Sequence, residues 1–347
     1  MIAAISYSKE WILKIRGKLG KRSDPKLIEK AIYALLFLEK LRVHNLDFIF
    51  KGGTSLLLAT PVPKRFSIDI DIITEHSEKE IINVIKKISG KNPFLHWEND
   101  SNRKHTADAP IGHFKLHYES CVDGKTEPIL LDVLYSGNPY PELTEISIEH
   151  HWLATKGQII KVPVPTFSSI LGDKLTAFAP KTTGILYTKN RPVEIIKQLF
   201  DVAFLIDNDP ILEVVVKGFH QVVKEEIGFR KLTIGPSEVL DDTFEACRVL
   251  ASRDAASPEF RHMELGIRNF ANFSIQKFSI EEAIKAAAKV AYLTRLIKTG
   301  NSSKIERFDN AADIADWIIE NPKFNKLNKL KKNNPEAFFY WIKALGV

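Results

Sequence analysis

The amino-acid sequence predicts an α/β protein, a mixed sheet followed by a mainly helical lobe. Three observations carry this. The run "RFSIDIDIIT" alternates, with Phe66, Ile68, Ile70 and Ile72 on one face and Ser67, Asp69 and Asp71 on the other, which is the period of a half-buried strand. "IGHFKLHYE" (111–119) and "EPILLDVLY" (127–135) are two further strand-like runs joined around the turn-like "VDGK". From "PTFSSILGDKLTAFA" onward the apolar spacing is mostly helical.

Taken in order, residues 24–45 predict a helix. Ser23 or Asp24 caps it, Pro25 suits its first turn, and apolar residues recur at helical spacing through Leu41. "FIFKGG" is a short strand stopped by two glycines, and "TSLLLAT" is a short helix ended by "PVPK". The alternating strand follows, then an amphipathic helix over 77–90 and the two strands above. Strands interleaved with short helices build a mixed sheet. Helices are then expected at 166–180, 192–206, 209–227, 236–250, 279–298, 309–320 and 335–345, punctuated by Pro210, Gly235–Pro236, Gly300 and Pro335. We therefore expect an α/β domain over 1–165 and a helical lobe over 166–347.

A chain of 347 residues fits two domains, or one large domain with an appendage. Hydrophobic residues at 44% and charged residues at 27% are the mix of a soluble globular protein. The net charge of +6 permits an anionic partner without requiring one. With only Cys121 and Cys247, neither a disulfide framework nor a cysteine zinc site is available. Lys9, Glu10, Lys14 and Arg16 interrupt the first twenty residues, so no signal-peptide core is expected. No run of eighteen apolar residues exists to cross a membrane, and the expected location is cytoplasmic.

The chemistry concentrates around "FKGGTSLLLATPVPKRFSIDIDIIT". Gly52 and Gly53, between a strand and a helix, either form a plain tight turn or let a phosphate reach backbone amides at a helix N-terminus. Thr54 and Ser55 add hydroxyl donors. Asp69 and Asp71 share one side of the strand, as on a solvated face or around Mg²⁺, which takes hard oxygen ligands and substrate phosphates. Asp132, between Leu131 and Val133, is a lone charge in an apolar strand and adds weight to the cation reading. His105, His113 and His117 are irregularly spaced and make no metal pattern. "KFNKLNKLKK" (323–332) reads as a solvated amphipathic helix, or one that touches RNA phosphates, and "FFYW" (338–341) as core or a docking helix.

This constellation resembles the DNA polymerase beta-like nucleotidyltransferase superfamily: a glycine pair, a spacer, D-x-D, and a third acidic residue on a later strand. More narrowly, K-G-G-T-x-L followed by R-x-S-x-D-x-D is similar to the AbiEii/AbiGii-type toxin family. Ile68 stands where members often carry an acidic residue, which leaves the ligand positions intact. "GDKLTAF" with Lys174 and "KQLFDVAFL" with Lys197 and Asp201 resemble the family's later lysine and K-x-x-x-D elements. The resemblance implies that Asp69, Asp71 and Asp132 hold Mg²⁺ (or Mn²⁺). It implies that Gly52, Gly53, Thr54, Ser55 and Ser67 meet the triphosphate of an NTP, and that Lys174 neutralises a phosphate. Asp201 is either a site carboxylate or half of a helix-surface pair with Lys197.

The expected function is that of a metal-dependent nucleotidyltransferase toxin in a toxin–antitoxin or phage-defence pair. It would move NMP to an acceptor hydroxyl on RNA such as a tRNA end, with a cognate antitoxin as partner. A protein hydroxyl as acceptor, by nucleotidylation or phosphorylation, and a non-catalytic RNA- or nucleotide-binding module are the alternatives. Lys181, Lys189, Arg191, Lys197, Lys217, Lys224, Arg230 and Lys231 would offer RNA a basic surface.

Overall fold

The structure is a computed structural model that describes residues 1–20, 23–100, 109–300, 304–309 and 314–346. The chain divides into two compact units. One comprises Met1–Asn138, Leu143–Thr166 and Asn272–Gln276, and the other Pro139–Glu142, Phe167–Ala271 and Lys277–Val347.

The first unit opens with α1 (Lys9–Leu19) and α2 (Pro25–Val43). Asp24 caps α2 by accepting from the Lys26 amide, and Pro25 begins it, where a missing N–H costs nothing. Most of α2 is buried on every side, as befits a helix apolar all round. Its buried Glu29 accepts from the Ser120 hydroxyl at 2.6 Å and the Cys121 amide at 2.7 Å, so the charge is not left unsatisfied.

The strands β1 (Ile49–Lys51), β2 (Ile70–Thr74), β3 (Phe94–Asn99), β4 (Ile111–Glu119) and β5 (Thr126–Tyr135) form one sheet in the order β1-β2-β5-β4-β3. β2 and β5 run parallel; every other pair is antiparallel. A short helix, α3 (Gly52–Ala59), joins β1 to β2, and α4 (Glu78–Ile88) follows β2. One sheet face, with Phe50, Ile70, Ile72, Phe114, Leu116, Tyr118, Leu131 and Val133, joins the core that α2 and α4 complete. Tyr118 stacks on Tyr33 of α2 with centroids 3.7 Å apart. A separate pair, β6 (Leu143–Ser147) and β7 (Lys161–Pro165), completes the strands. The segment 272–276 ties down the approach to β2: the Phe66 amide donates to Phe273 O at 2.7 Å and the Ile275 amide to Lys64 O at 2.9 Å.

The second unit contains α5 (Phe167–Ala177), α6 (Pro192–Ile206), α7 (Leu212–Phe229), α8 (Pro236–Ser252), α9 (Pro258–Phe270), α10 (Ile280–Thr299), α11 (Leu330–Asn333) and α12 (Pro335–Gly346). Ala283, Ala286, Ala287, Ala288 and Ala291 let α10 sit at the centre against α6, α8 and α12. The α5–α7 crossing is closer still, since a Cβ on Gly172 would lie 2.4 Å from the Phe219 amide nitrogen. Phe338 to Trp341 are buried in α12, so "FFYW" is core.

Three expectations are corrected, and five elements are new. The strand drawn from residue 65 begins only at Ile70, because Arg65 and Phe66 bond to the 272–276 segment instead. Residues 314–320, the described part of the helix expected at 309–320 together with Asp309, are not helical. α1, α9, β3, β6 and β7 were not anticipated. Finally, "KFNKLNKLKK" is a 3₁₀ turn (Asn325–Lys329) leading into α11, with Phe324, Leu327 and Leu330 buried, rather than one continuous helix.

Candidate active site

The sheet face opposite the core carries one rung of charged residues across four strands. Lys51 on β1 pairs with Asp71 on β2, Asp71 with Asp132 on β5, and Asp132 with His113 on β4. Register partners point the same way, so the two carboxylates stand side by side on neighbouring strands, roughly 5 Å apart by strand spacing. A cationic lysine and an imidazole flank them. Nδ1 of His113 donates to Oδ1 of Asp132 at 2.8 Å, and His113 is buried.

The glycine pair is explained by its neighbours. Gly52 has φ +79°, and a Cβ on it would lie 2.2 Å from Oδ2 of Asp71. Only glycine supplies both that backbone and that room. At Gly53 a Cβ would lie 2.4 Å from Nη2 of Arg65 and 2.6 Å from Oγ of Ser67. The double glycine thus brings the start of α3 directly against the aspartate and serine of "SIDID".

Thr54 and Ser55 are buried, and their hydroxyls are engaged by the backbone. Thr54 Oγ1 donates to Asp69 O and lies 3.1 Å from Ser67 Oγ, while Ser55 Oγ donates to Gly52 O at 2.9 Å. They shape the loop. Asp69 sits half-buried one residue ahead of β2. The structure therefore brings Gly52, Gly53, Thr54, Ser55, Ser67, Asp69, Asp71 and Asp132 into one neighbourhood of the first unit.

Lys174 and Asp201 lie in the second unit, and they meet each other. Nζ of Lys174 is 3.0 Å from Oδ2 of Asp201 and donates to Gln198 Oε1 at 3.0 Å. Both residues are buried, so Asp201 is no helix-surface charge; Lys197 bonds to Glu194 at 3.1 Å.

Sequence reasoning missed Lys51 and set His113 aside. The rung that unites them with the aspartates needs the register of four strands, which no linear spacing reveals. His105 lies outside the described residues. Among the described residues, the three potential ligands whose donor atoms come within 4.8 Å of one another are a different set, His96, Glu98 and His117. A cavity of about 520 Å³ lined by Arg42, Asp47, Thr74, Glu75, His76 and Glu145 opens at the other end of β1 and β2, away from the rung.

A family model described as Nucleotidyl transferase AbiEii toxin, Type IV TA system, matches residues 36–298. Two solved structures are similar at 15% identity and a TM-score of 0.44. One is a protein of H. pylori provisionally identified as a nucleotidyltransferase, with 79% of this chain and 94% of that chain covered. The other is JHP933 from Helicobacter pylori, with 78% and 93% covered. No curated protein matches.

Proposed function

This chain belongs to the AbiEii nucleotidyl transferase toxin family of type IV toxin–antitoxin systems, and on that premise we propose that it transfers NMP from an NTP to a hydroxyl of RNA, using the Asp71–Asp132 rung. The observation that carries this reading is the pairing of two carboxylates in register on adjacent strands, with the Gly52 backbone pressed against one of them. Like charges in that arrangement repel, so the pair favours a cation between its carboxylates beyond what Lys51 at the end of the rung supplies.

The donor set suits Mg²⁺ or Mn²⁺, since carboxylate oxygens are the ligands hard cations take. Asp71 and Asp132 would hold it, with Asp69 beside them. When bound, such an ion supplies charge neutralisation for the phosphates and lowers the pKa of an attacking hydroxyl. The residues do the rest. Asp132 accepts the acceptor proton as the hydroxyl oxygen attacks the α-phosphorus, whose bond to the bridging oxygen breaks to release pyrophosphate. His113 holds the Asp132 carboxylate in orientation by occupying Oδ1. The Gly52–Gly53 turn sets the N-terminus of α3 beside Asp71, where its backbone amides would meet the triphosphate. The net charge of +6 permits a polyanionic acceptor, and the antitoxin that the family implies is the expected protein partner.

The test is incubation of the protein with each α-labelled NTP, Mg²⁺ and total RNA. Label on RNA with wild type, and none with Asp71→Asn, is the expected result. Label on protein instead would move the acceptor to a protein hydroxyl, and equal labelling by wild type and Asp71→Asn would remove the rung from the chemistry.

A further inference from the structure

Side chains alternate along β4, so the face that presents His113 also presents Lys115 and His117. Lys115 pairs with Asp100 at 3.0 Å. His117, four residues from His113 and therefore about 13 Å along the strand, meets two residues of the edge strand β3. Its ring stacks on that of His96 with centroids 4.2 Å apart and an interplanar angle of 11°. Its Nε2 lies 3.2 Å from Oε1 of Glu98, and Nε2 of His96 lies 3.9 Å from the same oxygen.

A bulge makes this meeting possible. Phe94 pairs with Tyr118 and Trp97 with Leu116, with a shift of register between them. Phe94 is buried and Trp97 packs on Phe114, so two residues three apart both face the core, which takes one extra residue in the strand. His96 and Glu98 are thereby both delivered to the outer face, opposite His117.

We infer that His96, Glu98 and His117 form a second cation site, for a first-row divalent ion of the zinc class, separate from the aspartate rung. Three observations agree. The donor atoms all fall within 4.8 Å of one another, and tetrahedral zinc with bonds of about 2.0–2.1 Å holds its ligands about 3.3 Å apart. Neither ring nitrogen of His117 has a hydrogen-bond partner among the described residues, although both are closed off from solvent. The 3.2 Å approach of its Nε2 to Glu98 lacks hydrogen-bond geometry, and the exposed His96 ring, now stacked nearly parallel to it, turns out of the stack to share the ion. Two imidazoles with one carboxylate also select borderline ions over Mg²⁺, which prefers six oxygens. Bound there, the ion clamps the edge strand β3 onto β4. The inference is independent of the nucleotidyl-transfer reading, since no residue is shared.

Tag-free full-length protein in excess Mg²⁺ is titrated with Co²⁺, followed by its visible absorption and by calorimetry, and the bound Co²⁺ is then displaced with Zn²⁺. One saturable equivalent is expected in wild type and in Asp71→Asn. His96→Ala and Glu98→Gln alter exposed side chains and should fold normally. Each should lose more affinity than the roughly 10–100-fold that follows removal of a mere outer-shell partner. The inference is overturned by absence of saturable binding, by unchanged binding in both variants, or by loss of binding in Asp71→Asn alone.

Discussion

Lys174 and Asp201 are each almost fully buried and 3.0 Å apart, so neither charge has water to replace its partner. Removing one partner of such a pair typically costs about 3–5 kcal/mol, because the other is left buried without its opposite charge. Lys174→Ala should lower the unfolding free energy by that order in urea. The double variant Lys174→Met/Asp201→Leu should recover most of the loss, and a double variant no more stable than Lys174→Ala would show that the pair is not coupled. This revises what spacing alone suggested, because Lys197 is the i−4 neighbour of Asp201 in sequence while Lys174 reaches it from another helix. The aspartates of the rung follow the opposite logic. Asp71→Asn and Asp132→Asn keep the side-chain shape, and what each loses beside Lys51 or His113 is offset in part by weaker repulsion from the other carboxylate, so each should stay folded with a melting temperature near that of the wild type while abolishing nucleotidyl transfer. Undiminished transfer by either variant would count against the rung as the reacting centre.

The turn from β1 into α3 was legible because all its demands are local. A glycine pair after an apolar triplet marks it, and "SIDID" lies close enough in sequence to be read as its counterpart. Register was not legible. Lys51, Asp71, Asp132 and His113 come from four strands, and their alignment depends on pairings that span more than sixty residues of chain from Asp71 to Asp132. β3 was invisible for a related reason: as an edge strand it exposes Leu95, His96, Glu98 and Asn99, so its pattern never looks half-buried. The turn itself makes a graded prediction. An L-residue in the left-handed region costs about 1–2 kcal/mol, and at Gly52 a Cβ would also displace the Asp71 carboxylate. At Gly53 the clash is only with the ends of the Arg65 and Ser67 side chains. Gly52→Ala should therefore lose more stability than Gly53→Ala and nearly all transfer activity, as read by melting temperature and turnover. The reverse order would mean that Asp71 does not need its present seat.

Over the whole molecule, charge governs both partner binding and acid stability. Of the basic residues expected to meet RNA, Lys181, Lys197 and Arg230 already face Glu259, Glu194 and Glu226, so Lys189, Lys217 and Lys224 carry more of that expectation. Changing these three to Gln should weaken RNA binding and make its salt dependence shallower, since fewer counterions are released. An unchanged salt slope would separate the second unit from the RNA surface. Acid stability turns on histidines. Burial pushes His150 down to about 3, and burial lowers His44, His117, His151 and His262 as well. Nδ1 of His150 accepts the Trp152 amide at 3.3 Å, which requires that nitrogen to be unprotonated. A histidine kept neutral in the fold contributes stability that is complete above its unfolded value of 6.5 and is lost as pH falls towards 3, because only the unfolded chain takes up the proton. The lowered carboxylates, among them Glu80 at about 2, Glu127 and Glu245, act in the same direction but begin only near their unfolded value of 4.5. Asp242, raised by burial, opposes them. Between pH 6.5 and about 5 the histidines therefore drive the decline, with Asp242 working against them. Urea unfolding at pH 8, 6 and 5 should show a plateau followed by a decline, to which His150 alone contributes at most about 1.4 kcal/mol per pH unit. His150→Gln should flatten the decline by that amount, whatever its effect at pH 8, and a parallel pH profile in wild type and variant would show that His150 is not held neutral by the fold.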